Sequence, residues 1–167
     1  MTMLHYRDCP GCGVRLLMSE EQPDSRYNAS PECWQLYGEL TAYTVTRGDV
    51  AFMHQHAVDT YGAQHAGEQA RPITVAFALI GLYLACEQDY SGKKVQHMHM
   101  LLARRTKTWP PFTPPALRGS LTVLDVLRAP PGEQRDHMLR QWRQSVWDAW
   151  SQEHARVRAL LESVMRD

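Results

Sequence analysis

The fold of this chain is decided by the stretch at residues 72–86, PITVAFALIGLYLAC. Proline at position 72 suits the first turn of a helix, and the apolar residues after it point in every direction around the helix axis. The apolar part, Ile73 to Cys86, has 14 residues. A helix needs ~20 to cross a bilayer. The sequence therefore predicts a buried central helix that other helices surround.

Helix signals flank this segment on both sides. Ser30 is a favourable N-cap and Pro31 a favourable first helical residue, so helix one should begin there and run to about Thr46. Further helices are predicted at Val50 to Gln64, Lys93 to Lys107 and Leu121 to Arg128. A final helix of about 30 residues should end near Met165. The predicted fold class is all-α, a helical bundle of four to five main helices.

Length and charge limit the organisation and the partners. The chain has 167 residues, with 18 basic and 18 acidic side chains. We expect one domain over residues 1–167, in which a Cys-containing N-terminal loop, residues 1–29, packs on the bundle, residues 30–167. Balanced charge removes the general attraction to phosphates and anionic lipids, so neither nucleic acid nor a membrane is expected as a partner.

Cysteine usage indicates the compartment. The chain has four cysteines, Cys9, Cys12, Cys33 and Cys86. They are too few for a disulfide scaffold of this size, so reduced thiols are expected. The residues before Cys9 lack the apolar run of a signal peptide. A cytoplasmic location is the resulting prediction.

A zinc-knuckle-like loop is predicted near the N-terminus, where Cys9-Pro-Gly-Cys12-Gly forms a turn that directs two thiolates at one point. Zinc takes four protein ligands in a structural site, or three and a water in a catalytic one. Cys33 is the best third candidate because the first turn of a helix favours a thiolate. A histidine such as His54 is the expected fourth. The alternatives are an unliganded thiol pair and a redox dithiol.

Three histidines lie on the apolar faces of predicted helices, at positions where aliphatic side chains are usual. His54 and His65 lie on the stripe of predicted helix two, and His154 lies on that of the final helix. Burying an imidazole without a partner costs roughly 1 to 3 kcal/mol. We expect His54 or His65 to meet His154 in a polar pocket, with Asp59 as a further acid–base candidate. The alternative for each is an ordinary hydrogen-bonded or solvated side chain.

Other conspicuous side chains are assigned to structure. Cys86 lies in the apolar stretch and should be a core residue. His97 and His99 are two positions apart on a helix, point in different directions, and are expected on the surface. Tryptophans at helical spacing are also expected in the core.

Four spaced motifs carry a resemblance to a known family. They are CPGCG at 9–13, ASPxCW at 29–34, VDTYxxQH at 58–65 and SVWDAWxxxHxxVR at 145–158. In this order they resemble a bacterial family of small helical proteins, a domain of unknown function with an N-terminal Cys-Pro-x-Cys-Gly motif. The resemblance implies no activity. Similar sequences have a His-His pair where this chain has Glu153-His154. The resemblance therefore implies that only the second histidine of the pair, His154 here, matters.

Three functions are compatible with these features. The leading hypothesis is a zinc-binding helical protein in which the metal is mainly structural. The first alternative is a metal-dependent enzyme that acts on a small molecule in a pocket between helices, with Asp59, His65 or His154 as catalytic groups. The second alternative is an interaction module that presents its proline-rich loop, Trp109 to Pro115, to a protein partner.

Overall fold

Helices make up most of the computed structural model, which describes residues 3–23 and 28–167. The N-terminal segment predicted at 1–29 therefore includes residues 1–2 and 24–27, which lie outside the described part. The helices are α1 (Pro31–Thr46), α2 (His54–Gln64), α3 (Pro72–Glu87), α4 (Gly92–Arg105), α5 (Val123–Arg128), α6 (Glu133–Ala149) and α7 (His154–Arg166). A two-stranded sheet, β1 (Tyr6–Asp8) and β2 (Arg15–Leu17), precedes them.

Helix α3 is the centre of the bundle, as the apolar stretch predicts. It packs against α2, α4, α6 and α7. Leu79, Ile80 and Leu82 are fully buried although they lie on different sides of the helix, as expected for a helix surrounded by others. None of the helices within the described residues is long and apolar enough to cross a membrane.

The start of α1 is confirmed, but α2 begins later than expected. The Ser30 hydroxyl accepts a hydrogen bond from the Cys33 backbone N–H, and Pro31 is the first helical residue. Helix α2 begins at His54 and not at Val50. The preceding turn is held by Asp49, whose carboxylate accepts from the backbone N–H of Met53, and it includes Phe52 at φ 55°.

The prediction of an all-α fold is wrong for the N-terminal segment, which contains a β-hairpin. Strands β1 and β2 are antiparallel, and Tyr6 pairs with Leu17. Each strand has three residues, which is too short to produce a recognisable alternation of apolar and polar side chains. Strand β2 lies against α1, so the hairpin is packed on the bundle.

The single long helix predicted at the C-terminus is two helices. Helix α6 ends at Ala149, and a 3₁₀ turn at Ser151–Glu153 separates it from α7. Trp150 at this break is buried, and its indole N–H donates to the carbonyl oxygen of Ala63 on α2 at 3.3 Å. The break allows α6 to pack on α2 while α7 turns to pack on α3 and α4.

Candidate metal centre

The turn between β1 and β2 holds the first two thiols of the site. The backbone N–H of Cys9 donates to Val14, and that of Gly13 donates back to Cys9, both at 2.9 Å. Gly13 has a φ of 78°, a conformation that a glycine adopts without strain. This tight turn brings the side chains of Cys9 and Cys12 to the same side of the hairpin.

The third thiol comes from the first turn of α1. Cys33 is fully buried, and its Sγ lies 3.8 Å from Sγ of Cys12. This separation is far longer than the S–S bond of a disulfide, about 2.05 Å. The unpaired N–H groups at a helix start favour negative charge, so the position suits a thiolate.

The fourth group is His65, at the end of α2. Its Nε2 lies 3.4 Å from Cys33 Sγ. Its Nδ1–H donates to the backbone carbonyl of Tyr61 at 2.9 Å, so Nε2 is the nitrogen that faces the sulfurs. Proteins usually orient a metal-binding histidine in this way, through a hydrogen bond from the ring nitrogen that does not bind the metal.

These four side chains could hold a metal ion. The ligand atoms of Cys9, Cys12, Cys33 and His65 all lie within 4.8 Å of one another. In a tetrahedral zinc site, Zn–S and Zn–N bond lengths place two sulfurs about 3.8 Å apart and a sulfur and a nitrogen about 3.6 Å apart. The observed separations of 3.8 Å and 3.4 Å are close to these values. The cluster has the size of a four-coordinate site.

The electrostatics of the cluster also favour a cation. Three thiols this close cannot all ionise by themselves, because each thiolate opposes the next. Hydrogen bonds from Cys12 and Cys33 lower the pKa of Cys9 far below its usual range, whereas those to Cys12 and Cys9 raise the pKa of Cys33 well above it. A divalent ion would stabilise the thiolate at every sulfur.

Tyr61 supports the site from outside. Its ring stacks between those of Tyr37 and His65, with centroids 4.0 Å and 3.8 Å away. Its hydroxyl lies 3.4 Å from Cys33 Sγ and can donate to a thiolate there. The tyrosine therefore orients the imidazole with its carbonyl and its ring, and contacts a sulfur with its hydroxyl.

The end of α2 is fixed by a buried glutamine. Gln64 donates from Nε2 to the carbonyls of Arg118 and Leu121, and its Oε1 accepts from the indole N–H of Trp142 at 2.9 Å. Arg118 in turn donates to the carbonyls of Gln64 and Ala66. These bonds hold the residue next to His65 against two other parts of the chain.

The hairpin is fastened to α1 independently of the thiols. Glu32 is buried, and its carboxylate accepts from the backbone N–H and hydroxyl of Ser19 at 2.8 Å and 3.0 Å. Arg7 on β1 lies 3.8 Å from the same carboxylate. Burial alone would raise the pKa of Glu32, but these hydrogen bonds and the guanidinium hold it below its usual value.

One glycine is required by the closeness of the hairpin to His65. A Cβ on Gly11 would lie 2.4 Å from the carbonyl oxygen of Asn28 and 2.5 Å from the His65 ring. Both distances are shorter than side chains tolerate, so only glycine fits at position 11 of the turn.

His54, the expected fourth ligand, lies elsewhere. Its Nδ1 is 2.8 Å from the hydroxyl of Thr44 on α1, in an ordinary hydrogen bond between two helices. The two histidines are at opposite ends of α2. The sequence pattern identified both as unusual, but the choice between them depended on which end of the helix faces the hairpin.

His154 does not share a pocket with either of these histidines. Its Nε2–H donates to the carbonyl of Trp147 at 2.8 Å, and its ring stacks on that indole. Its Nδ1 lies 3.9 Å from Glu87. The imidazole therefore gives a second hydrogen bond to a carbonyl in the last turn of α6, which also accepts from the Trp150 N–H. Because the cavity beside His65 is not lined by His154, the expectation of a shared polar pocket is wrong.

Asp59 and His99 border a cavity next to the metal centre. Asp59 is buried and is not the solvated carboxylate that the sequence left as an alternative. His99 was expected on the surface, but it is half-buried and donates to the carbonyl of Phe77 at 2.9 Å. The ring of His99 stacks on that of Phe77. This contact depends on α3 and α4 being neighbours, so the sequence alone could not indicate it.

The proline-rich loop packs its aromatic side chains inward. Trp109 and Phe112 are both buried, and the Trp109 ring meets the Phe77 ring edge-on. Arg156 lies over the ring of Phe112. These side chains stabilise the chain's own fold. A role of the loop in binding a partner stays a prediction.

Comparison with known protein families finds one match. The model of a family of unknown function, DUF5946, matches residues 7–151, which include all four residues of the cluster. The chain belongs to the DUF5946 family. Neither the curated proteins nor the solved structures include a match for it. The DUF5946 match names no activity and no source organism, so a bacterial origin stays a prediction.

Proposed function

We propose that this chain is a zinc-binding helical protein and that Cys9, Cys12, Cys33 and His65 are the ligands. The observation that supports this most directly is the gathering of four ligand atoms within 4.8 Å. Three thiolates and an imidazole are a soft donor set that suits zinc better than calcium or magnesium, which take oxygen ligands.

The proposed role of the metal is structural. Four protein ligands complete a tetrahedral shell and leave no position for a water or a substrate. Three of the four residues are buried, and they come from the hairpin, from α1 and from α2. One ion would thus tie together three elements that are separated along the sequence. Thiolate ligands need reducing surroundings, which supports the cytoplasm as the compartment.

Metal analysis of cysteine variants tests the proposal. Protein purified without chelators should contain one zinc per chain, and Cys33→Ser should lose most of it. Cys86→Ser is the matched control, because Cys86 is a partly buried thiol on α3 outside the cluster. Cobalt added to the metal-free protein should give the intense charge-transfer absorption of a tetrahedral thiolate site, and Cys33→Ser should weaken it.

Two results would contradict the proposal. The first is a zinc content below about a tenth of an equivalent together with no change in thermal stability on adding zinc. The second is equal metal content in Cys33→Ser and Cys86→Ser, which would mean that Cys33 is only a core residue.

A further inference from the structure

A cavity of about 630 Å³ lies between the proline-rich loop and the segment that joins α2 to α3. Asn28 and Arg118 complete the part of its lining that the structure describes. A cavity of this size can hold a small organic molecule, since such sites typically measure about 300 to 1,000 Å³. None of the four proposed metal ligands lines it, so the proposed zinc does not account for this space.

The wall of the cavity contains a partly buried arginine, Arg118. One nitrogen makes both of the bonds that anchor it, because Nη1 donates to the carbonyls of Gln64 at 3.1 Å and Ala66 at 2.7 Å. Nε and Nη2 have no hydrogen-bond partner among the residues that the structure describes, and neither is a buried atom. Arg118 is therefore held in place by one nitrogen, while its other two nitrogens stay accessible.

The two unused nitrogens of Arg118 form one edge of the planar guanidinium group. Their N–H groups are parallel, with a spacing that matches the two oxygens of a carboxylate. The two bonds from Nη1 fix the orientation of the guanidinium plane before any ligand binds. A donor pair that is already oriented loses less conformational entropy on binding than a mobile side chain does.

The positive charge of Arg118 lacks a carboxylate partner within the described part of the chain. Removal from water lowers the pKa of Arg118, and no acidic group opposes this effect. Glu68 also lines the cavity, but it is exposed to solvent. Helix α3 begins at this wall with Pro72, and its first turn has neither an acidic residue nor a side-chain cap, so its positive end adds to the potential. The cavity therefore favours an anion.

Asn28 places a further donor beside Arg118. Its Nδ2 donates to the carbonyl of Ala66 at 3.4 Å, the same oxygen that accepts from Arg118. Gly67 leaves room for this side chain, since a Cβ there would lie 2.9 Å from Cβ of Asn28. The amide has a second N–H group, which is free to donate to a molecule in the cavity that Asn28 lines.

Apolar side chains form much of the remaining wall. They are the buried Val75 and Phe112 and three prolines, Pro72, Pro111 and Pro114. An inorganic anion would leave these surfaces without a partner, whereas a hydrocarbon group attached to the anion would be removed from water against them. A guanidinium edge beside apolar walls is a combination that suits an organic carboxylate.

We propose that this cavity binds a small organic carboxylate, whose two oxygens accept from Nε–H and Nη2–H of Arg118 and whose apolar body packs against Val75 and Phe112. The ligand supplies the negative charge that the described part of the chain does not place beside this arginine. The site is additional to the proposed zinc centre and does not depend on it, because the two share no residue.

Calorimetric titration with three probes of similar shape tests the assignment of charge. Benzoate should bind at least about tenfold more tightly than benzamide, because the neutral amide has one oxygen and forms no charge-assisted pair with the two N–H groups. Benzylamine should bind no more tightly than benzamide, since its ammonium group meets a positive charge. Equal affinities for benzoate and benzamide would overturn the proposal.

Arg118→Lys tests the role of the guanidinium edge. Lysine keeps the positive charge but replaces two parallel donors by one ammonium group, so benzoate binding should weaken about tenfold and benzamide binding should not change. Arg135→Lys is the matched control, because Arg135 is also partly buried and donates to two backbone carbonyls, but it does not line the cavity. Unchanged benzoate binding by a folded Arg118→Lys protein would contradict the assignment.

Nuclear magnetic resonance of the unaltered protein provides a measurement that does not depend on a variant folding. Benzoate should shift the Nε–H resonance of Arg118 and the amide resonances of residues 67–75 and 111–118, and it should leave the Nε–H resonance of Arg135 in place. No binding of benzoate, or shifts centred on residues 55–62, which border the cavity beside His65, would each overturn the proposal.

Discussion

His65 shows how much the role of one residue depends on its neighbours. Its two ring nitrogens have different tasks, since Nδ1–H bonds to the Tyr61 carbonyl and Nε2 faces the thiols. His54, on the same helix, has a hydroxyl partner and is not part of the cluster. Two histidines that look alike in the sequence therefore differ in whether a metal can reach them.

The first prediction compares these two histidines. His65→Asn should lower zinc affinity at least about tenfold, because it removes one of four proposed ligands and the hydrogen bond that orients it. His54→Asn should leave zinc affinity unchanged and cost stability only through its bond to Thr44. Competition with a chromophoric zinc chelator measures both affinities. Equal affinities in the two variants would contradict the assignment of His65.

At the scale of elements, the C-terminal end of α3 organises the two last helices. The carboxylate of Glu87 accepts from the indole N–H of Trp147 on α6 at 3.1 Å and from the guanidinium of Arg158 on α7 at 2.7 Å. His154 caps the end of α6 in the same place. The group holds three helices together around the break at Trp150, and it accounts for the partners of the histidine there.

The second prediction concerns the pH dependence of this group. The hydrogen bond from Arg158, helped by that from Trp147, lowers the pKa of Glu87 although burial opposes it. A lowered pKa in the folded state means that the unfolded state binds the proton more readily, so the stabilisation is present above the unfolded pKa of about 4.3 and is lost as the pH falls through the folded pKa.

Glu87→Gln should accordingly lower the Tm at pH 7 by up to about 3 °C, since the pair is partly exposed. The difference between the variant and the unaltered protein should disappear at acidic pH. Thermal melts across the pH range measure it, with Glu162→Gln as the control, because Glu162 forms only an exposed pair with Arg166 within α7. A difference that persists in acid would show that the effect is not electrostatic.

At the scale of the whole molecule, the proposed zinc would stabilise one margin of a continuous core. The core surrounds α3 and includes Cys9 and Cys33, and the Cys3His cluster joins the hairpin to α1 and α2. Without metal, the bonds of Glu32 to Ser19 and its approach to Arg7 still connect the hairpin to α1. Loss of the ion should therefore loosen the hairpin more than the helices.

The third prediction is the effect of removing the metal. A strong chelator should lower the Tm by roughly 10 °C, the effect of losing a ligand present at about 1,000 times its Kd. Helical circular dichroism below the transition should be retained, and amides of residues 6–17 should lose protection from hydrogen exchange. Zinc should restore both properties and magnesium should not. Identical melting of chelated and zinc-loaded protein would contradict a structural metal.

The sequence by itself determined the features that depend on local chemistry. The apolar stretch at 72–86 predicted the central helix, because a helix that is apolar on every face and too short to cross a bilayer is buried among other helices. Ser30 and Pro31 predicted the start of α1, since capping involves only residues close in the chain. The Cys-Pro-Gly-Cys turn and Cys33 indicated three of the grouped residues, because thiolates at a turn and at a helix start have a recognisable spacing.

Only the tertiary structure decided the features that depend on contacts between distant elements. The choice of His65 over His54 required knowing which end of α2 meets the hairpin. The break before α7 arises because Trp150 bonds to Ala63 while α7 packs on α3 and α4, and these contacts leave no pattern in the local sequence. Gly81 leaves space for Asp59, 22 residues earlier in the chain, because a Cβ on Gly81 would lie 2.0 Å from Asp59 Oδ2. Contacts of this kind depend on how distant elements pack against one another. Periodicity and motifs describe only residues that are close in the sequence, so they do not reveal such contacts.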